Sequence, residues 1–172
     1  MTLETDLMAL IQPLAGGTVI WMDQNAPRPA LPYCAMKIMS VRQKNRDHYS
    51  DVDDSGIQTV AGDREFTLNI QRYQAYGVDG VTGKLQAIAD KLRLISVIDK
   101  FKSKGLVAFN AAQVQDISAL LDKTQIEKRA SLDIFIRYRS VQTDDVGLIE
   151  TANIQGQDDG VNSPVYTVVA SV

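Results

Sequence analysis

From Arg64 to Tyr73 the chain alternates strictly: Phe66, Leu68 and Ile70 are apolar, while Glu65, Thr67, Asn69 and Gln71 are polar. A period of two places the sets on opposite faces of a strand, one toward a core and one polar yet uncharged in its middle. Ile57 to Ala61 is a second β-prone run, and Gly62-Asp63 between the two predicts a hairpin. Glu127 to Val141 predicts a long strand, with Leu132, Ile134, Ile136 and Tyr138 on one face. Thr18 to Met22, Tyr33 to Val41 and Leu106 to Phe109 are shorter strands, and Val114 to Leu121 fits either a strand or a short helix.

Two segments carry the helical period instead. Leu3, Leu7, Leu10, Ile11 and Leu14 line one face, with Thr2 as cap, Glu4 and Asp6 in the first turn, and Pro13, Gly16 and Gly17 as the stop. Val81, Leu85, Ile88, Leu92, Ile95 and Ile98 form the stripe of one long helix over Asp79 to Ser103, with Lys100, Lys102 and Lys104 near its end and Gly105 closing it. Arg42 to Gly56 has almost no apolar content and predicts a mobile loop. Gln142 to Gly147 predicts a turn from which Leu148 to Gln155 pairs back. Beyond Gly156 the chain is rich in Gly, Asp, Asn and Ser up to Pro164. It ends in the β-prone run Val165 to Val169, for which no partner is expected inside the domain. The expected fold is α+β: one domain over residues 1–155, an antiparallel sheet with helices packed on one face, and a C-terminal arm over 156–172 that serves as an interaction segment.

Composition narrows the function. The chain has 172 residues, 45% apolar and 23% charged, with a formal net charge of −3. Such a chain does not grip nucleic acid over a large surface, because that grip needs Lys and Arg against phosphate, although a local basic patch remains open. Cys34 is the single cysteine, so no intramolecular disulfide forms. The N-terminus carries acids where a signal peptide needs basic residues, and no apolar run approaches the roughly 18 residues of a membrane span. The expectation is a protein that stays in the cytoplasm or joins something assembled there.

Candidate chemistry is sparse. His48, the only histidine, lies among Asp47, Asp51, Asp53 and Asp54. The stretch from Asp51 to Gly56 resembles the start of a calcium loop, but Gly62 stands where the bidentate Glu belongs, so a solvated acidic loop is the preferred reading. Cys34 sits in an apolar strand and reads as a buried structural thiol. Gly77, Gly80 and Gly83 match no dinucleotide fingerprint, and no nucleophile elbow, phosphate loop or zinc spacing occurs. No enzyme activity, cofactor or metal is expected. Arg129, Arg137 and Arg139 form a basic stripe, for which cross-strand ion pairing is preferred over phosphate contact.

The stiffest stretch is Trp21 to Tyr33, WMDQNAPRPALPY, with three of the five prolines. Together with SGIQTVAGDREFTLNIQRY, VQDISALLDKTQIEKRASLDIFI and GLIETANIQG it resembles the neck or tail terminator family of tailed bacteriophages, over roughly Val19 to Gly156. The resemblance implies a small α/β subunit of a homo-oligomeric ring, usually a hexamer. Such a ring caps the tail tube and faces the neck and connector proteins at the neck/tail junction of the virion, after assembly in the host cytoplasm. Tail-tube and sheath proteins are the implied partners, DNA crosses the lumen without specific binding, and no membrane takes part. The family has no catalytic residues to transfer. The matching positions are Pro27, Arg28, Pro29, Pro32, Arg64, Glu65, Arg129 and Asp133; the candidate interface is Trp21, Pro27, Arg28, Pro29, Pro32, Arg64, Glu65 and Arg129. Cys34-Ala35-Met36 and the C-terminal tail depart from the pattern. Other expectations are a different head–tail adaptor or tail-completion protein and, from another class, a small DNA-binding module. Three prolines leave little entropy to lose on contact, so Arg28 is expected to be held out as a preset charged contact; the alternative is a rigid crossover between strands.

Overall fold

The computed structural model describes residues 2–78, 80–122, 125–148, 151–154 and 166–169. In chain order the elements are α1 (Leu3–Ala15), β1 (Thr18–Trp21), β2 (Tyr33–Gln43), β3 (His48–Tyr49), β4 (Ile57–Gln74), α2 (Val81–Lys91), α3 (Ile95–Lys102), β5 (Leu106–Ala111), β6 (Gln115–Asp116), β7 (Ala119–Asp122), β8 (Gln125–Asp145), β9 (Thr151–Ile154) and β10 (Tyr166–Val169). The class is α+β, as expected, with a mixed eight-stranded sheet and three helices. Contacts group the chain into two compact units, Met1–Asn45 with Asp63–Arg139, and Arg46–Gly62 with Ser140–Val172.

In the first unit the strand order is β1-β2-β4-β8-β5, with β6 and β7 also paired to β8. All three helices join a single core cluster with one sheet face. Leu7 and Ile11 of α1, Leu85 and Ile88 of α2, and Phe101 of α3 share it with Met36, Leu68, Ile70, Leu132, Ile134 and Ile136. Burying a side chain of this size contributes about 1.5–3 kcal/mol. The alternation of β4 and β8 therefore assigned the core face correctly. Cys34 is 1% exposed inside this cluster, and burial pushes its thiol pKa up, as suits an unreactive thiol.

Several elements differ from the sequence expectation, each for a local reason. Gly62-Asp63 is no hairpin turn: β4 runs unbroken from Ile57 to Gln74, and Gly62 is not among the glycines with positive φ that a tight hairpin turn needs. The long helix is two. Leu94 adopts an extended conformation (ψ 134°) as the N-cap of α3, which shifts the apolar phase so that Val97 and Phe101 are buried while Ile95 is 77% exposed. In α1, Pro13 is tolerated inside the last turn, and Gly16 at φ 66° makes the stop, its N–H bonding the Gln12 carbonyl at 3.2 Å. The sheet is mixed and not wholly antiparallel, because β1 pairs parallel to β2, Thr18 opposite Tyr33 and Trp21 opposite Met36. Parallel neighbours need a crossover, and the proline stretch supplies it. The ambiguous stretch after Val114 is strand, as β6 and β7.

The second unit orders part of the segment expected to be a loop. His48 pairs with Ala61 and Tyr49 with Val60. The following turn is held by Asp53, whose Oδ1 accepts the N–H groups of Ser55 and Ile57 at 2.9 Å each. β8 continues through Asp145, past the expected turn at Gln142. Gly56 has φ 78°, and a Cβ there would stand 3.0 Å from the Gly147 backbone, so only glycine fits. β9 does not pair back onto β8. It pairs antiparallel with β10, so Tyr166–Val169 has the partner in its own chain that was not expected. Residue 155 and the remainder of the arm, residues 156–165 and 170–172, lie outside the described residues.

Candidate interaction surface

On the sheet face opposite the helices, β4 contributes Glu65, Thr67, Asn69, Gln71 and Tyr73, and β8 contributes Glu127, Arg129, Ser131, Asp133, Phe135 and Arg137. The apolar partners of these residues face the core, so this face should be wet. Yet Glu65 and Glu127 are each 3% exposed and Asn69 8%. A carboxylate that deep needs compensating charge and hydrogen bonds.

Glu127 finds them in the proline crossover. Arg28 donates from Nη2 to Glu127 Oε1 and from Nε to the Tyr33 hydroxyl at 2.6 Å. Arg129 donates from Nε to the other oxygen, Oε2, at 2.5 Å. Tyr33 and Tyr73, opposite each other on β2 and β4, stack with ring centroids 4.7 Å apart. Arg28 lies 5.6 and 5.1 Å from these two rings, and Arg129 lies 4.9 Å from Tyr73. Guanidinium over an aromatic face is attractive in its own right. Burial raises the pKa of the Tyr73 phenol despite the nearby arginines. Arg28 is therefore not held out as a free contact. It fastens the crossover to β8, with its side chain 46% exposed.

A run of side-chain hydrogen bonds leads along the face from this cluster. The Tyr73 hydroxyl donates to Gln71 Oε1 at 2.9 Å, and Gln71 donates to Asn69 at 3.2 Å. Asn69 Nδ2 in turn reaches Ser131 at 2.8 Å and Asp133 at 2.6 Å. The polar middle of the strand is thus a paired network of fixed geometry.

Glu65 anchors a second cluster farther along. Arg137 donates from Nη2 to its Oε1 at 2.6 Å, Arg42 from Nη2 to its Oε2 at 3.0 Å, and Lys44 Nζ lies 3.5 Å from Oε1. The hydrogen bond from Arg137 leads these cations in holding the Glu65 carboxyl below the usual carboxylate range, against the opposing effect of burial. Three cations against one carboxylate leave a local charge of +2 on a chain whose net charge is −3. Beside them is a cavity of about 120 Å³ lined by Ser40, Arg42, Glu65, Phe66, Thr67, Phe109 and Phe135.

Of the residues singled out from sequence, Arg28 and Arg129 meet on one carboxylate, and Asp133 joins the run between the clusters. Glu65 centres its own cluster. Arg64, one position away, takes the opposite face by the strand alternation, and its Nη1 bonds the Asp63 carbonyl at 3.3 Å. Trp21 packs against the core, Pro29 is half-buried, and Pro27 and Pro32 are exposed. Glu127, Tyr33, Tyr73, Arg42 and Lys44 were missed as site residues. Glu127 shares the odd-numbered face of β8 with Arg129, which was its one local signal. His48 is exposed on β3, and among the described residues no group of three His, Cys, Asp or Glu side chains is placed to hold a metal. What the face offers is recognition by fixed charges and aromatic rings.

A family model described as phage neck terminator protein matches residues 1–160, a span that contains both clusters. No curated protein matches the chain.

Proposed function

The chain belongs to the phage neck terminator family, a structural component of the bacteriophage neck, and on that premise we propose that its copies close into a ring, a hexamer, that caps the tail tube and joins it to the head. The family match over 160 of the 172 residues carries this reading. The paired polar face is consistent with it. A ring subunit must meet its neighbours with side chains already placed, because ordering them on contact costs free energy. In this reading the partners are further copies, tail-tube and sheath proteins on one side, and connector proteins on the other. The overall negative charge lets DNA cross the lumen without being held. The subunit acts in the virion after assembly in the host cytoplasm, and it needs no cofactor and no catalytic step.

The reading is tested by native mass spectrometry of the purified protein, alone and with tail-tube protein, and by electron microscopy of particles lacking it. We expect a closed oligomer that binds the tube end, and heads and tails that fail to join without it. A protein that stays monomeric in both mixtures, with particles that join normally in its absence, would refute it.

A further inference from the structure

We propose that the cationic cavity around Glu65 receives the acidic turn Asp51–Asp54 of a second copy of this chain. The inference rests on the ring reading above and names the two surfaces that would meet. Arg42 lines the cavity, and Lys44 and Arg137 join it on Glu65, with side chains 70%, 43% and 39% exposed, while Phe109 and Phe135 supply the rings of the lining. Arg137 is already fixed by Glu65 and lies 5.0 Å over the Phe109 ring. The site therefore asks for a ligand with negative charge around a small apolar tip.

The second unit presents such a ligand. Asp51, Asp53 and Asp54 are exposed around Val52, which is 42% exposed, with Tyr49 at 57% beside them. The turn is ordered in advance by the two N–H bonds to Asp53 Oδ1, by a Gly56 N–H bond to the Asp53 carbonyl at 2.9 Å, and by a Val146 N–H bond to Gly56 at 3.0 Å. Pre-ordering lowers the cost of docking. A phosphate backbone would satisfy the cations but offers nothing to the phenylalanines, and charge complementarity together with the apolar tip favours the protein turn. Donor and acceptor surfaces are different patches of one chain, so the contact is head-to-tail, the type that closes into rings.

Charge reversal tests this with a built-in rescue. One variant, Arg42→Glu with Lys44→Glu, makes the cavity acidic; the other, Asp51→Lys with Asp54→Lys, makes the turn basic and leaves Asp53 in place. Each alone sets like charges against each other at every contact. In an equal mixture, every contact between unlike variants is complementary again. By analytical ultracentrifugation we expect the wild type to assemble, each variant to remain monomeric, and the mixture to recover the wild-type species. Should the cavity variant fail to fold, Arg42→Gln with Lys44→Gln decides, with an expected rise of about tenfold or more in the dissociation constant. Variants that assemble like the wild type, or folded variants whose mixture stays monomeric, would overturn the inference and leave the ring reading standing. Wild-type protein that never assembles would overturn both. Loss of DNA binding with assembly intact would assign the cations to phosphate and also overturn it.

Discussion

Glu65 and Glu127 are buried equally on one sheet face and both are covered by cations, but the two clusters are completed differently. Around Glu127, two guanidiniums share one carboxylate and lie against the stacked pair Tyr33 and Tyr73, so their charge and their flat faces are both used within the chain. Around Glu65, three cations share one carboxylate, Arg42 keeps most of its surface, and a phenylalanine-lined cavity remains beside them. A buried carboxylate gathers arginines in both places. Whether the product is a fastening or a docking surface depends on how many cations gather and on how much of their surface stays open.

Mutations should separate these layers, beginning underneath both clusters. Leu68→Ala or Ile70→Ala should cost about 2–5 kcal/mol in denaturant unfolding, and Thr67→Ala on the other face only about 0.5 kcal/mol. Equal costs would put the strand register out by one residue. Next in size, Arg129→Ala leaves Glu127 with a single partner in a dry setting and should cost about 2 kcal/mol. Arg42→Ala removes a mostly exposed cation from a cluster that keeps two others, and should cost less than about 1 kcal/mol. If Arg42→Ala proved the more damaging, the assignment of fastening and docking surface would be reversed.

Gly56→Ala is expected to lower stability by about 1–2 kcal/mol, through its left-handed φ and the approach of the Gly147 backbone. Melting curves with an unchanged midpoint would show that the turn carrying Asp51 and Asp54 is not held as described. Glu65 itself is tested by acidification. Its pKa is lowered in the fold, so its ion pairs are complete above the unfolded value of about 4.3 and are lost as pH falls through the lowered value. The melting temperature should therefore drop more steeply on acidification in wild type than in Glu65→Gln; matching slopes would remove Glu65 as a source of acid sensitivity.

The sequence exposed whatever is periodic and local. The alternation of Phe66, Leu68 and Ile70 placed the core face, Thr2 and Gly16 bracketed the first helix, and QNAPRPALPY pointed to the family. What escaped depends on partners far along the chain. Arg28 was singled out, but its partner Glu127 is 99 positions away, and Arg28 itself sits on the crossover between the parallel strands β1 and β2. Leu92 and Ile95 continue a helical stripe on paper. The break at Leu94, which exposes Ile95, appears only once α3 packs by Val97 and Phe101. Gly62-Asp63 carries a turn's composition, and pairing with β3 and β2 on either side of it overrides that preference.

The difference between the two glutamate clusters is tested most directly by one paired experiment, in which melting temperature and native mass are measured together for Arg28→Glu and Arg42→Glu. We expect Arg28→Glu to lower the melting temperature sharply, by setting a carboxylate against buried Glu127, while the protein that remains folded still assembles. Arg42→Glu, with Lys44 and Arg137 still on Glu65, should lower the melting temperature less and fail to assemble. The opposite pattern, a stable Arg28→Glu that no longer assembles beside an unstable Arg42→Glu that does, would contradict the division of this face into a fastening and a docking surface.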